Sequence, residues 1–360
     1  MRDVKLLLTA LLLAVAVSTA RAIERPNIIF KVFQFPADQI PRIDGKTDDW
    51  DIVPESYVIG TDQLADTENG NQIDPKQLDV RVKVGWVKGL NRLYFLYEAT
   101  KDYWDFSHDD LHNDIFELVV DGDLSGGPFI ADMHPNKTLD YWEAYFRAQS
   151  VHAQNYHIFT PAKDKDWAMV WGCQSWLKQL PWANAAYSYN FKPGERGKLV
   201  LEFWITPFDY ASCDGPVHSV ESSLQENKLI GMSWCVLDYD DVNATKFSGF
   251  YNLSHKTTMY GDANDLVMFK LMPLDARFHK AIEAHWSFQI VDMDRRLVAF
   301  RDESYGKVTA WKWDFGDNTS STDQHPMHVY QKAGKYVVTL FVQGPEGSAK
   351  LTKVWDVTVR

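Results

Sequence analysis

The stretch LDVRVKVGW, residues 78–86, alternates strictly between apolar residues and polar or small ones. Successive side chains of a β-strand point to opposite faces, so this period of two predicts a strand with one buried face. A turn at 89–91 and a second apolar run at 92–100 follow directly, which predicts the other strand of a hairpin. The apolar face of this hairpin needs further strands to cover it, and this need constrains the fold of the chain.

Similar runs recur along the next 170 or so residues. They predict strands at 114–121, 142–149, 198–205, 230–238 and 266–272. No window carries a sustained 3.6-residue period, and the nearest one, 275–286, is short. We therefore predict an all-β chain with a large β-sandwich, or a barrel, over residues 23–273.

The first residues predict export. Basic residues precede an apolar run at 6–17, and Ala20 and Ala22 then supply a small-x-small cleavage pattern, as in a secretory signal peptide. The run is too short to span a bilayer, and no later segment approaches 18 uncharged apolar residues. We predict a signal peptide at 1–22 and a secreted, periplasmic or cell-surface protein.

The net charge of the chain disfavours some classes of binding partner. The formal net charge is −12, and it becomes −14 without the predicted signal peptide, which holds three basic residues and one acidic residue. Nucleic acids and anionic membranes bind basic patches, so both are disfavoured as partners.

The three cysteines, Cys173, Cys213 and Cys235, allow at most one internal disulfide, so the stability of the fold must come from an ordinary hydrophobic core.

The C-terminal part holds a long pattern. Residues 313–340, WDFGDNTSSTDQHPMHVYQKAGKYVVTL, resemble the PKD domain, whose signature runs W-D-F-G-D-G, then P-x-H-x-Y, then G-x-Y-x-V-x-L. Asn318 stands where the family has Gly, a mild change because Asn tolerates a left-handed backbone. The resemblance implies a small immunoglobulin-like β-sandwich, which we place at 283–360 after a linker at 274–282.

Three polar residues of this pattern raise an alternative. Asp314, Asp317 and His328 could form a metal or catalytic group. Each of them already fits a structural position in the PKD pattern. We therefore interpret the stretch as scaffold and expect the activity upstream.

The larger part of the chain, about 35–273, resembles the family 9 carbohydrate-binding module. The resemblance rests on an I-D-G-x-x-D-x-W opening at 43–50, a D-x-x-E-x-x-x-D strand at 114–121, a later F-R pair and a G-M-x-x-x-V-x-D strand at 231–238. The region 151–197 has no counterpart in that pattern. Such modules are β-sandwiches that bind sugars without cleaving them, often as appendages of secreted polysaccharide-degrading enzymes.

The resemblance implies a sugar-binding face. In these modules two aromatic residues clamp the sugar and charged groups hold its hydroxyls; the corresponding positions here are Trp104, Glu117, Arg147 and one of Phe250 or Tyr251. Trp104 lies ten residues before Asp114, a larger gap than in the family, and Cys235 stands where a polar amide would help to bind sugar. The alternative is that Trp104 and Tyr251 are loop or core residues and that Glu117 pairs with Arg147.

The sequence leaves the role of two further segments open. Asp121 and Asp123 lie in the Gly-rich turn DGDLSGG, and their carboxylates are the hard oxygen ligands that suit calcium, although clustered Asp residues also serve simply as solvated loops or caps. A tryptophan-rich stretch at 165–182 could line a groove or form a lid over the sandwich.

We infer an exported, non-catalytic carbohydrate-binding protein, with the PKD-like domain as a spacer or an interaction module. One alternative is a structural component of an extracellular or cell-surface assembly. Another is a glycoside hydrolase with Glu117 and either Asp114 or Asp121 as the acid pair. The last is a haem-binding sandwich that holds the haem between a Met and a Lys or His, with Met232, Met259 and Met268 as available ligands, although no C-x-x-C-H motif is present.

Overall fold

The structure is a computed structural model that describes residues 23–107, 113–159, 161, 165–279 and 281–360, without the side chain of Trp355. The predicted signal peptide at 1–22 lies outside these residues. The chain forms two compact units, which divide between Leu274 and Asp275. Within the described part, no helix is both long and apolar enough to cross a membrane.

The N-terminal unit is built mainly of strands. In chain order they are β1 (Ile29–Gln34), β2 (Ile59–Gly60), β3 (Ala65–Asp66), β4 (Leu78–Trp86), β5 (Leu93–Lys101), β6 (Ile115–Asp121), β7 (Gln154–Ile158), β8 (Ala168–Val170), β9 (Ala183–Tyr189), β10 (Gly197–Ile205), β11 (Phe208–Tyr210), β12 (Val220–Glu221), β13 (Leu229–Asp238), β14 (Gly249–Asn252) and β15 (Val267–Leu271).

Helices in the described chain are few and short. The α-helix α1 spans Tyr141–Ala148. The 3-10 helices are Asp48–Trp50, Glu55–Tyr57, Thr61–Gln63, Ala131–Met133, Ser175–Lys178, Pro216–His218, Thr257–Tyr260, Ala263–Asp265 and, in the C-terminal unit, Ala276–Phe278. The prediction of an all-β chain is therefore confirmed.

The large sheet curls through β1, which pairs with two different strands. Residues 29–32 pair in parallel with β15, whereas Phe33 and Gln34 pair with β4. The strand order is β8-β7-β6-β13-β15-β1-β4-β5-β10-β9. Side chains from both halves share one central core, in which the alternate apolar residues of β4 are at most 2% exposed. The predicted hairpin is present as the antiparallel pair of β4 and β5.

A second core lies on the other face of β6. Phe116 and Leu118 point into the central core, whereas Ile115 and Val119 belong to the second core. Because side chains alternate along a strand, Glu117 lies on the side of the second core.

The predicted strand at 142–149 was wrong, because this segment is helix α1. The carboxylate of Asp140 accepts a hydrogen bond from the backbone N–H of Glu143 and caps the helix. Glu143 in the first turn and Arg147 in the last turn also suit the helix dipole. These end signals stabilise a helix despite the aromatic content of the segment.

A disulfide holds the region 151–197, which the sequence patterns did not interpret. It joins Cys173 to Cys213, while Cys235 is a buried free thiol. This region supplies β7, β8 and β9.

The C-terminal unit is a small sandwich with its own core. Its strands are β16 (Trp286–Asp292), β17 (Leu297–Asp302), β18 (Ala310–Asp314), β19 (Ser320–Ser321), β20 (Met327–Val329), β21 (Gly334–Gly344) and β22 (Gly347–Val359). They form the sheets β16-β17-β20 and β19-β18-β21-β22. The core between the sheets includes Trp286, Phe300, Trp313 and Tyr330, as well as Ile282 from the predicted linker.

Candidate functional site

Three neighbouring strands bring a set of polar side chains to the second face of the sheet. Glu117 on β6 lies opposite His157 on β7 and Cys235 on β13. The side-chain amide of Asn155 donates to Glu117 Oε1 at 2.8 Å and to the carbonyl oxygen of Tyr260 at 3.2 Å. The other carboxylate oxygen lies 3.6 Å from His157 Nδ1 and 3.7 Å from Cys235 Sγ. We call this set, Glu117, Asn155, His157 and Cys235, the Glu117 cluster.

The Glu117 cluster holds buried polar atoms that make no hydrogen bond to a described residue. Asn155 Oδ1 and both ring nitrogens of His157 make no hydrogen bond within the described chain, although the two residues are 1% and 4% exposed. Most buried polar atoms in folded proteins are paired, because an unpaired one keeps the full cost of its desolvation. A ligand hydroxyl placed there could pair with them.

Two aromatic residues lie near the Glu117 cluster. The half-buried ring of Trp171 packs edge-on against His157 with 5.9 Å between ring centroids. Tyr260 is 37% exposed, and burial, followed by the charge of Glu117, raises the pKa of its phenol. Burial also raises the pKa of the Cys235 thiol, and Glu117 adds to this effect, so the thiol stays neutral beside the carboxylate. The arrangement supplies a carboxylate, an amide and an imidazole beside the ring of Trp171.

Trp104 lies in the central core, not in an open loop. It is 2% exposed, and its indole stacks on Phe106 and Phe191 at centroid distances of 5.7 and 4.8 Å. Its Nε1–H donates to the carbonyl oxygen of Gly197 at 2.9 Å. The burial of Trp104 therefore supports the alternative that it is a core residue.

The other predicted contact residues are buried in the two cores or exposed on α1. Phe250 packs in the second core and Tyr251 in the central core, with 5% and 8% exposure. Arg147 is exposed on α1 and forms an ion pair with Glu143 at 2.7 Å. Of the residues predicted to bind sugar, only Glu117 belongs to the cluster.

A buried ion cluster lies between β5, β6 and β13. Lys101 Nζ is 2.7 Å from Asp114 Oδ1, 2.5 Å from Asp238 Oδ1 and 3.6 Å from Asp240, and it donates to the carbonyl oxygen of Tyr239. Burial raises the pKa of Asp114 to about 7, although the adjacent lysine opposes the shift. Asp114 thus forms a buried ion pair with Lys101 and does not face Glu117 as a second catalytic carboxylate.

The acidic turn predicted to bind calcium is closed by its own hydrogen bonds. Asp121 Oδ1 accepts from the backbone N–H groups of Asp123 and Ser125, and Oδ2 accepts from that of Gly126 at 2.8 Å. Burial raises the pKa of Asp121 to about 7, and the neighbouring Asp123 contributes to the rise. In the described chain, no group of three or more His, Cys, Asp or Glu residues is placed to hold a metal ion. Calcium at this turn stays a prediction.

The methionines of the haem alternative are divided between the two cores. Met232 is fully buried in the central core, whereas Met259 is fully buried in the second core. The haem alternative needs only one methionine, so this division leaves it a hypothesis. Most of the tryptophan-rich stretch packs as a lid, since Trp167, Trp176 and Trp182 all lie against the central core.

The polar residues of the PKD pattern hold one another. His328 Nε2 lies 2.8 Å from Asp317 Oδ2, and the imidazole stacks on Phe315 with 4.2 Å between centroids. The backbone N–H of Gly316 bonds to Asp314 Oδ1. These contacts fit the scaffold interpretation of the stretch.

Comparisons with known proteins identify part of the chain. Residues 295–359 match the family model of the PKD domain. Collagenase ColQ1 of Bacillus cereus is 40% identical over 60 residues, which are 17% of this chain and only 6% of the collagenase.

Two kinds of solved structure are similar to the two units. A family 9 carbohydrate-binding module of Caldicellulosiruptor kristjanssonii, in complex with cellotriose, matches with a TM-score of 0.44 and 12% identity, over 70% of this chain and 97% of the module. The PKD1 domain of the Vibrio cholerae metalloprotease PrtV matches with a TM-score of 0.19 and 28% identity, over 20% of this chain and 91% of that domain. The family model and its motif agree, and this chain therefore carries a PKD domain at residues 295–359.

Proposed function

We propose that the N-terminal unit binds a neutral carbohydrate at the Glu117 cluster and does not cleave it, and that the PKD domain serves as a spacer or an interaction module. The observation that carries the proposal is the set of buried polar atoms on Asn155 and His157 that make no hydrogen bond in the part of the chain that the structure describes, beside the ring of Trp171. The resemblance of the sequence to carbohydrate-binding modules supports the same interpretation.

The chemistry of the Glu117 cluster suits sugar hydroxyls. A hydroxyl group can donate to Glu117 and accept from an imidazole or amide N–H, and charge-assisted hydrogen bonds of this kind are the stronger ones. Aromatic rings such as those of Trp171 and Tyr260 can cover the apolar C–H face of a sugar ring. The small number of contacts predicts weak binding, in the micromolar to millimolar range.

Cleavage would need a second carboxylate across a cleft from Glu117. The neighbours of Glu117 are an amide, an imidazole and a neutral thiol, and Asp114 is bound to Lys101. This composition supports binding without hydrolysis.

Export is part of the proposal. The disulfide between Cys173 and Cys213 fits an oxidising compartment outside the cytosol. The predicted signal peptide supports the same location, which we propose to be secreted, periplasmic or at the cell surface.

The test is calorimetric titration of the full chain with cellotriose and with a panel of soluble neutral polysaccharides. The isosteric change Glu117→Gln removes the charged acceptor and should weaken binding roughly 10- to 100-fold, because a hydrogen bond to a charged group contributes about 1.5–3 kcal/mol. Glu98→Gln is a matched control, since Glu98 also lies on a strand but pairs with Lys198 away from the cluster.

Three outcomes would contradict the proposal. They are the absence of binding to every sugar of the panel, equal affinity of the native protein and Glu117→Gln at unchanged melting temperature, and the release of reducing sugar by the native protein that Glu117→Gln stops. The last outcome would favour the hydrolase alternative.

A further inference from the structure

Helix α1 turns its aromatic side chains outward and its small ones inward. Tyr141, Trp142 and Phe146 are 53%, 63% and 55% exposed, whereas Ala144 and Ala148 are 6% and 4% exposed. Residues three and four apart share a face of a helix, so the two alanines form the buried face. A helix that only had to cover a core would show the reverse arrangement.

The exposed rings form one continuous cluster. Tyr145 lies between its neighbours, with ring centroids 5.6 Å from Trp142, 5.5 Å from Phe146 and 6.3 Å from Tyr141. We call these four side chains the α1 aromatic patch. Burial of one large apolar side chain is worth about 1.5–3 kcal/mol, so this patch forgoes a large stabilisation. Exposed apolar patches of this kind usually mark interaction sites.

The size of the α1 aromatic patch argues against a protein partner. Aromatic side chains have roughly 150–250 Å² each, so four of them at about half exposure offer roughly 400 Å². A stable protein interface buries about 800 Å² on each partner. The patch alone is thus too small for a stable dimer but large enough for a few sugar rings.

The charge of the α1 aromatic patch argues for a neutral partner. The charged residues of the helix itself, Glu143 and Arg147, neutralise each other in an ion pair at 2.7 Å. The chain as a whole has a net charge of −12, which disfavours an anionic bilayer surface. Two tyrosines and a tryptophan add polar tips to the rings, which suits a ligand with both C–H faces and hydroxyl groups.

We propose that the α1 aromatic patch is a second carbohydrate-binding surface, which contacts a neutral polysaccharide chain by aromatic stacking; this inference rests on the proposed function of the N-terminal unit. Trp142, the most exposed ring, is the main contact. Tyr141 and Tyr145 lie one helical turn apart with ring planes tilted by 33°, so both can stack against one extended chain. The patch adds affinity for long chains and contributes nothing to the binding of a short oligosaccharide at the Glu117 cluster.

The experiment compares the full-length native protein with Trp142→Ala and with the double variant Trp142→Ala, Tyr141→Ala. Affinity electrophoresis measures binding to soluble neutral polysaccharides, and calorimetry measures binding to cellotriose. Tyr210→Ala is the matched control, because Tyr210 is 41% exposed in the same unit but lies on β11. Uncharged and anionic phospholipid vesicles and analytical ultracentrifugation serve as additional arms.

We expect Trp142→Ala to weaken polysaccharide binding about tenfold, and the double variant to weaken it further, with cellotriose binding and melting temperature unchanged. Equal polysaccharide binding by the native protein and both variants would overturn this inference and leave the proposed function standing. Vesicle binding or self-association that Trp142→Ala abolishes would overturn it as well. A native protein that binds none of the sugars would overturn the inference and the proposed function together.

Discussion

At the scale of single residues, Trp104 illustrates how a side chain near a predicted site can belong to the core. Its indole packs with the rings of Phe106 and Phe191 and is hydrogen-bonded to the carbonyl oxygen of Gly197. We predict that Trp104→Ala lowers the stability of the N-terminal unit by about 3–5 kcal/mol, the range for an aromatic side chain removed from a core. Thermal unfolding followed by circular dichroism measures the change. Trp142→Ala on the exposed patch is the comparison and should leave the melting temperature unaltered; an equally small effect of Trp104→Ala would disprove the core assignment.

The buried cluster of Lys101, Asp114 and Asp238 predicts a dependence of stability on pH. One lysine faces two buried carboxylates, and burial raises the pKa of Asp114 to about 7, above the value of about 3.9 in an unfolded chain. The folded state therefore binds the proton more tightly, so the stability contributed by this group is present at low pH and is lost as pH rises through about 7. Asp121 and Asp238 are shifted in the same direction.

We predict that the melting temperature of the N-terminal unit falls by a few degrees between pH 5 and pH 7.5, and that Asp114→Asn reduces this slope. Calorimetric scans at four pH values measure both. The exposed Asp241→Asn serves as the control and should keep the native slope. A slope that is the same in Asp114→Asn and in the native protein would show that Asp114 does not titrate in this range.

Some residues of the candidate site could be predicted from the sequence and others could not. Glu117 was found because the D-x-x-E-x-x-x-D strand at 114–121 resembles that of family 9 carbohydrate-binding modules. Asn155 and His157 were missed, because β7 is only five residues long and lies in the region 151–197, which has no counterpart in the family pattern. The unpaired atoms of His157 depend on its neighbours in space, and no local pattern reports them.

At the scale of secondary-structure elements, long alternating strands were predictable and short connecting ones were not. β4 runs over the predicted residues, and β5, β10, β13 and β15 begin or end within one residue of the predictions. Their patterns are clear because one face of each lies in the core. The strand predicted at 142–149 failed because its three aromatic residues favour a strand by propensity, whereas the Asp140 cap and the inward alanines determine a helix.

At the scale of the whole molecule, the PKD pattern predicted the C-terminal sandwich because its residues occupy defined structural positions. Trp313 is fully buried, Tyr330 donates from its hydroxyl to the carbonyl oxygen of Phe315, and Gly316 has φ +79°, where a β-carbon would lie 2.4 Å from the carbonyl oxygen of Val337. The larger unit was less predictable, since its curled sheet depends on β1, which pairs with strands distant in sequence.

The last prediction concerns where the C-terminal unit begins. The compact unit starts at Asp275, and Ile282, within the predicted linker, is 3% exposed in its core. We predict that residues 275–360 unfold cooperatively when expressed alone. A fragment that starts at 283 lacks the side chain of Ile282, which is worth about 2 kcal/mol, and should melt roughly 10 °C lower. Ile282→Ala in the longer fragment should account for most of that difference. Two fragments with equal melting temperatures would place the boundary at 283, and a disordered spectrum of the longer fragment would refute independent folding.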